Sequence, residues 1–171
     1  MHLVLSILLA QAPSIPAGVV DSKYIIQRDV QVRTPDGATV CALIVRPQTA
    51  SRLPVLLNFT IYVDSAANLA ELRRAADHGY VGVIAFTRGK ACSPDTPVAY
   101  AHDGADAAAV IDWIARQPWS DGRVGMYGGS YSGFTTWAVT KHVPKALKAI
   151  MVGAPAAPGV DVPMEGNIVW N

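Results

Sequence analysis

Two short apolar runs constrain this chain more than any other feature. Residues 54–60 read Pro-Val-Leu-Leu-Asn-Phe-Thr, and residues 81–86 read Val-Gly-Val-Ile-Ala-Phe. A strand with one wet face alternates apolar and polar residues, whereas a nearly continuous apolar run fits a strand covered on both faces of a parallel sheet. Parallel neighbours need a crossover, and residues 65–78 predict the helix that supplies it. Asp64 or Ser65 is its N-cap, Leu69, Leu72 and Ala76 share a face, and Gly79 ends it. A second helix is expected with Asp103 as cap and Asp106 three residues on; Ala107, Val110, Ile111 and Ile114 recur at helical spacing, and Pro118 stops it. Arg123–Tyr127 then reads as a short strand, Ser132–His142 as a helix closed before Pro144, and Leu147–Val152 as a further buried strand. Upstream, Arg28–Arg33 alternates, Pro35-Asp36-Gly37 turns, and Thr39–Val45 alternates again, which predicts a β-hairpin. Strands alternating with helices after a hairpin give a doubly wound, mostly parallel α/β sheet with right-handed crossovers.

Composition narrows the partners. With 51% hydrophobic and 16% charged residues the chain can bury one sizeable core, and there is no sign of a repeat or a second domain. The 14 Lys and Arg are scattered and the net charge is +1, so no basic stripe suits nucleic acid, and a small uncharged or zwitterionic ligand fits better. Cys41 and Cys92 stand in no metal-ligand or CxxC spacing, so neither a metal site nor thioredoxin chemistry is expected, and both read as small buried apolar residues. The run Leu3–Ala10 has the length of a signal-peptide core, with cleavage near Ala10, although only His2 stands where Lys or Arg is usual. The competing reading is a buried first strand. Residues 1–17 are therefore expected to be a leader and 18–171 the folded part, secreted or periplasmic on the first reading and cytoplasmic on the second. No other apolar run approaches the roughly 20 residues of a membrane span.

The chemistry lies in Arg123-Val124-Gly125-Met126-Tyr127-Gly128-Gly129-Ser130-Tyr131-Ser132-Gly133, a strand entering a Gly-rich turn and then a helix. Neither G-x-G-x-x-G nor a P-loop Gly-Lys-Ser/Thr is present, so no nucleotide cofactor is expected. Gly-x-Ser at such a junction is what a nucleophile elbow requires. There the serine sits on a strained turn that lifts its Oγ above the sheet at a helix N-terminus. Gly128 lets the turn pass close to its neighbours. The backbone N–H of Tyr131, the residue after the nucleophile, points at a developing oxyanion. The usual second glycine is replaced by Ser132, with Gly133 one residue later.

That departure carries a resemblance. Gly128-Gly129-Ser130-Tyr131-Ser132-Gly133 resembles the G-x-S-Y-x-G elbow of the cocaine esterase and X-Pro dipeptidyl-peptidase family of α/β-hydrolases, which includes α-amino-acid ester hydrolases and cephalosporin acylases. Gly79–Ile84 with Thr87-Arg88-Gly89-Lys90 is similar to its G-Y-x-V-V…R-G segment, and Asp103-Gly104-Ala105-Asp106…Trp113-Ile114…Gln117-Pro118-Trp119 to its pre-elbow helix. The likeness covers roughly residues 28–162. It implies a serine hydrolase that cleaves esters or amides of a small molecule or peptide through an acyl-enzyme on Ser130. It also implies that Tyr62, in Thr60-Ile61-Tyr62 where the family has T-P-Y, donates its hydroxyl to the oxyanion; the alternative is a half-buried tyrosine at a strand end. Arg88 is expected to brace its loop.

A serine nucleophile needs a histidine base and an orienting acid, which in this fold follow it in the chain. Only His142 follows, some dozen residues on and ~18 Å along a helix rising 1.5 Å per residue. His78 and His102 precede the serine and suit surface roles. Asp161 and Glu165 could approach the pocket mouth, with no later histidine to orient. The resemblance implies a longer protein with a helical cap, further strands carrying Asp and His, and a C-terminal β-sandwich. These residues are then expected to be its N-terminal part, truncated after the strand that follows the nucleophile helix and leaving Leu147–Val152 as an open edge. The alternative is a catalytically incomplete product with at most a binding role.

Overall fold

The computed structural model describes residues 19–20, 23–157, 164–165 and 168–169. Residues 1–17, expected as a leader, and Asp161 lie outside these. The elements run β1 (Val19–Val20), β2 (Tyr24–Arg33), β3 (Thr39–Pro47), β4 (Leu53–Thr60), α1 (Ser65–Asp77), β5 (Val81–Phe86), α2 (Asp103–Ala115), β6 (Ser120–Ser130), α3 (Tyr131–Ala138), a 3₁₀ turn (Val139–His142) and β7 (Leu147–Pro155). Two short strands, β8 (Met164–Glu165) and β9 (Ile168–Val169), pair antiparallel, so Glu165 falls on a separate two-stranded ribbon.

Seven strands form one sheet in the order β1-β2-β3-β5-β4-β6-β7. The four strands β5, β4, β6 and β7 are parallel, and the β2–β3 hairpin joins them antiparallel through β3 and β5. This is the doubly wound α/β-hydrolase sheet with its N-terminal hairpin. Side chains alternate faces along each strand. Val40, Ala42 and Ile44 of β3, with Val55, Leu57 and Phe59 of β4, pack with Ala107, Val110, Ile111 and Ile114 of α2. Cys41, Leu43 and Val45 turn the other way, toward Leu72 and Ala76 of α1. α1 lies close to the sheet because Gly82 has no side chain: a Cβ there would stand 2.9 Å from Leu72 Cδ2 and 3.0 Å from its carbonyl oxygen. Asp64 caps α1, accepting from the N–H groups of Ala66 and Ala67, and Gly79 leaves it at φ 81°.

Three expectations are corrected. Cys41 and Cys92 are not free apolar residues but a disulfide, which ties the loop after β5 to β3. Ser93 Oγ in the same loop donates to the Thr39 carbonyl at 2.6 Å, and the Thr39 N–H donates to Asp95 at 2.9 Å. The third helix ends at Ala138, and the chain tightens into the 3₁₀ turn before Val143 stops it in the left-handed region at φ 44°. Asp103 and Asp106 do not cap α2. His102 stands at the N-cap without a side-chain bond, and both carboxylates are 1% exposed and face the sheet.

The inward acids have partners. Arg88 donates to Asp106 through Nε at 2.8 Å and Nη2 at 2.5 Å, and through Nη1 to Asp36 at 3.0 Å. One guanidinium therefore joins the hairpin turn, the loop after β5 and α2, which is the bracing role expected of it. Asp36, bonded by the Thr34 hydroxyl and then by Arg88, is held down from 3.8 to about 2. Its contribution to stability is in place at neutral pH and disappears as the pH falls through that range. Beyond α1, the face of β4, β6 and β7 that carries Leu56, Tyr127 and Met151 is open, with Met151 69% exposed at the edge. Among the described residues β7 is the outermost strand of the sheet, so Leu147–Val152, expected as a buried strand, is partly or fully exposed along its length.

Arg88→Met would strand the Asp106 carboxylate in the core, and losing one partner of a buried pair costs about 3–5 kcal/mol. Urea unfolding should show a loss of that size. An unchanged midpoint would mean that the guanidinium does not hold these elements together.

Candidate active site

β6 runs beside β4 in the middle of the parallel set and delivers Ser130 to the C-terminal end of the sheet. Ser130 has φ 53° and ψ −122°, a backbone conformation that L-residues rarely adopt, and it is exposed. α3 begins at the next residue. The strand thus reverses into a helix within one residue, as an elbow demands.

The neighbours show why the glycines stand where they do. A Cβ on Gly128 would lie 2.5 Å from the Ser132 carbonyl carbon and Cβ, so the turn closes only with glycine at 128. A Cβ on Gly133 would lie 3.0 Å from Pro155 Cα, where α3 meets the end of β7. Ser132 is tolerated in place of the usual glycine; it is buried, and its carbonyl accepts from the hydroxyls of Thr135 at 2.9 Å and Thr136 at 2.7 Å. Thr135 Oγ also donates to the Phe59 carbonyl at 2.7 Å, pinning α3 to β4.

Tyr131 opens α3, and its N–H belongs to the first turn, whose donors have no intrahelical acceptor. The Ser130 side chain makes no capping bond to that turn. The Tyr131 side chain runs inward, 5% exposed, and its hydroxyl donates to Asp103 at 2.8 Å while accepting the Tyr100 N–H at 3.1 Å. Asp103 accepts a second bond from Thr87 Oγ at 2.8 Å. Burial raises the Asp103 carboxyl above its usual range and pushes the Tyr131 phenol up to about 12. The phenol therefore stays protonated as the donor.

Tyr62 lies in the loop after β4, which leaves the sheet at the same end as β6. It is 53% exposed. The Tyr62 N–H donates to Thr60 Oγ at 3.1 Å, and Asn68 donates to the Tyr62 carbonyl at 3.4 Å, so the loop is held although Ile61 replaces proline. Three histidines are among the described residues. His78 closes α1 with Nδ1 2.7 Å from the Arg74 carbonyl oxygen, His102 begins α2, and His142 ends the 3₁₀ turn. Among the described residues the one group of possible metal donors is Asp29, Cys41 and Cys92, and both sulfurs are spent in the disulfide.

Sequence reasoning missed the support behind Tyr131. The signal was present: Asp103 and Asp106 precede Ala107, Val110, Ile111 and Ile114 at helical spacing, on the buried stripe, and Thr87-Arg88 offered the donors.

A parallel α/β sheet whose inner strand presents a serine at positive φ to a helix N-terminus defines the α/β-hydrolase class. Residues 36–171 match the model of the X-Pro dipeptidyl-peptidase (S15) family, and the chain belongs to that family. It is 35% identical over 150 residues to cocaine esterase of Rhodococcus sp. (strain MB1 Bresler), covering 84% of this chain and 25% of the esterase. Among solved structures it is similar to an α-amino acid ester hydrolase, at TM-score 0.71 and 25% identity over 89% of this chain and 28% of that one. It is likewise similar to a CocE/NonD family hydrolase from Staphylococcus aureus, at TM-score 0.66 and 26% identity over 74% and 27%. The chain thus spans about a quarter of the length of these relatives.

Gly128→Ala should displace the turn, because the clash is with backbone that cannot rotate away. The expected outcome is folded protein whose Ser130 reacts at least tenfold more slowly with a fluorophosphonate. Reaction at the wild-type rate would show that the turn has room to spare.

Proposed function

We propose that the chain is the nucleophile-bearing part of a serine hydrolase that cleaves ester or amide bonds through an acyl-enzyme on Ser130. The observation that carries this is the Ser130 backbone: exposed, at φ 53°, on a helix N-terminus at the end of a central strand. Strain of this kind costs about 1–3 kcal/mol and persists where the geometry serves a function.

In the proposed reaction Ser130 Oγ attacks the carbonyl carbon as a base takes its proton, and the C=O pair moves onto oxygen. The Tyr131 N–H and the Tyr62 hydroxyl donate to that oxyanion. Its collapse expels the alcohol or amine, which takes the proton back, and water then releases the acyl group by the same steps. Among the described residues no histidine is hydrogen-bonded to Ser130, and the greater length of the relatives supports a base and an acid that come from beyond them. The substrate is a small molecule or a peptide. The Cys41–Cys92 disulfide supports an exported protein, because such bonds persist in oxidising compartments.

The test uses the full-length protein. A fluorophosphonate should label Ser130 alone, with labelling lost in Ser130→Ala, and Tyr62→Phe should lower kcat roughly 10²-fold or more while the fold is kept. Label on Ser132 or Ser93 would refute the elbow assignment. A protein that hydrolyses nothing and takes no label would instead support a catalytically incomplete product.

A further inference from the structure

A buried polar chain lies behind the elbow. Tyr131 is at once the residue whose N–H is proposed to donate to the oxyanion and the residue whose hydroxyl is fixed by Asp103. Asp103 is 1% exposed and does not reach the surface. Its two oxygens are used separately, Oδ1 accepting from Thr87 at the end of β5 and Oδ2 from Tyr131 at the start of α3. The Tyr100 N–H adds a second bond to the phenol, and the ring lies 4.8 Å from that of Tyr100. The first residue of α3 is therefore held at both ends: by the turn at Ser130 and by a charge-assisted bond at the far end of its side chain.

Burying a carboxylate is costly unless it is well bonded, and an apolar residue here would pack without that cost. What the carboxylate supplies is direction. A donor acts on an oxyanion only if it is fixed beforehand, and a displacement on the order of 1 Å can cost ~10²-fold in rate. The geometry points to Asp103 as a positioning residue of the hydrolase: it anchors the Tyr131 phenol and thereby aims the Tyr131 N–H at the oxyanion. This rests on the proposed role of Ser130. Asp103 itself touches no reacting atom.

The experiment measures steady-state hydrolysis of a neutral ester by the full-length protein and by its Tyr131→Phe, Asp103→Asn and double variants. Active sites are counted by end-point phosphonate labelling of Ser130, so misfolded material does not enter. Each single change should lower kcat per labelled site roughly 10- to 100-fold with KM within about twofold. The affinity for a boronic acid that mimics the tetrahedral intermediate should fall in parallel with kcat. The double variant should be no worse than the poorer single one, since both changes act through the same Tyr131–Asp103 contact. Tyr131→Phe keeps the ring and removes only the hydroxyl, so it carries the test if Asp103→Asn does not fold. Unchanged kcat per labelled site in Tyr131→Phe would overturn the positioning role while leaving the hydrolase reading intact. A wild-type protein in which Ser130 takes no label would overturn both.

Discussion

The central strand β6 (Ser120–Ser130) passes into α3 (Tyr131–Ala138) with no loop between them, so the chain has to reverse within about one residue. Here that turn falls on Ser130 at φ 53°. Much of the surrounding structure follows from making this backbone tolerable. Gly128 removes the side chain that would collide with Ser132, Gly133 lets α3 settle against Pro155, and the Thr135 hydroxyl binds the helix to the Phe59 carbonyl of β4. A strained turn of this kind survives only when its neighbours determine it more firmly than its own preference opposes it.

The second layer of support is electrostatic and reaches across the molecule. α2 brings two carboxylates to the sheet, and the consecutive residues Thr87 and Arg88 meet them one each. Through Asp106 the helix is tied to Arg88 and the hairpin turn at Asp36; through Asp103 it is tied to the first residue of α3. The disulfide and the Ser93 and Asp95 bonds fasten the intervening loop to β3. A loop whose 16-residue connection between β5 and α2 (87–102) has no strand or helix of its own is thereby fixed at its start, its middle and its end.

Most of the fold was legible because burial on two faces leaves an unmistakable apolar run. Val81–Phe86 matches its strand residue for residue, and Asp64 and Gly79 mark the ends of α1 as caps do. The elbow was legible for the same reason, since Gly-Gly-Ser between a strand and a helix has few other uses. What the sequence hid was polar and non-local. Asp103 and Asp106 look like cap residues because acids favour helix starts, although their spacing also sets them on the buried stripe of α2, where Thr87 and Arg88 meet them. Cys41 and Cys92 are separated by 51 positions, and two apolar-looking cysteines carry no signal that the pairing of β3 with β5 will bring them together. Tyr62 was read from a three-residue likeness, and the bonds that hold its loop without a proline come from Thr60 and from Asn68 on α1.

The central claim is that this turn presents Ser130 to a carbonyl with the Tyr131 N–H already aimed at the oxygen. A crystal structure of the full-length protein after reaction with a fluorophosphonate tests it most directly. Phosphorus should be bonded to Ser130 Oγ, with one phosphoryl oxygen about 2.7–3.1 Å from the Tyr131 backbone nitrogen and from the Tyr62 hydroxyl. A phosphoryl oxygen turned to solvent, with neither donor in reach, would contradict it.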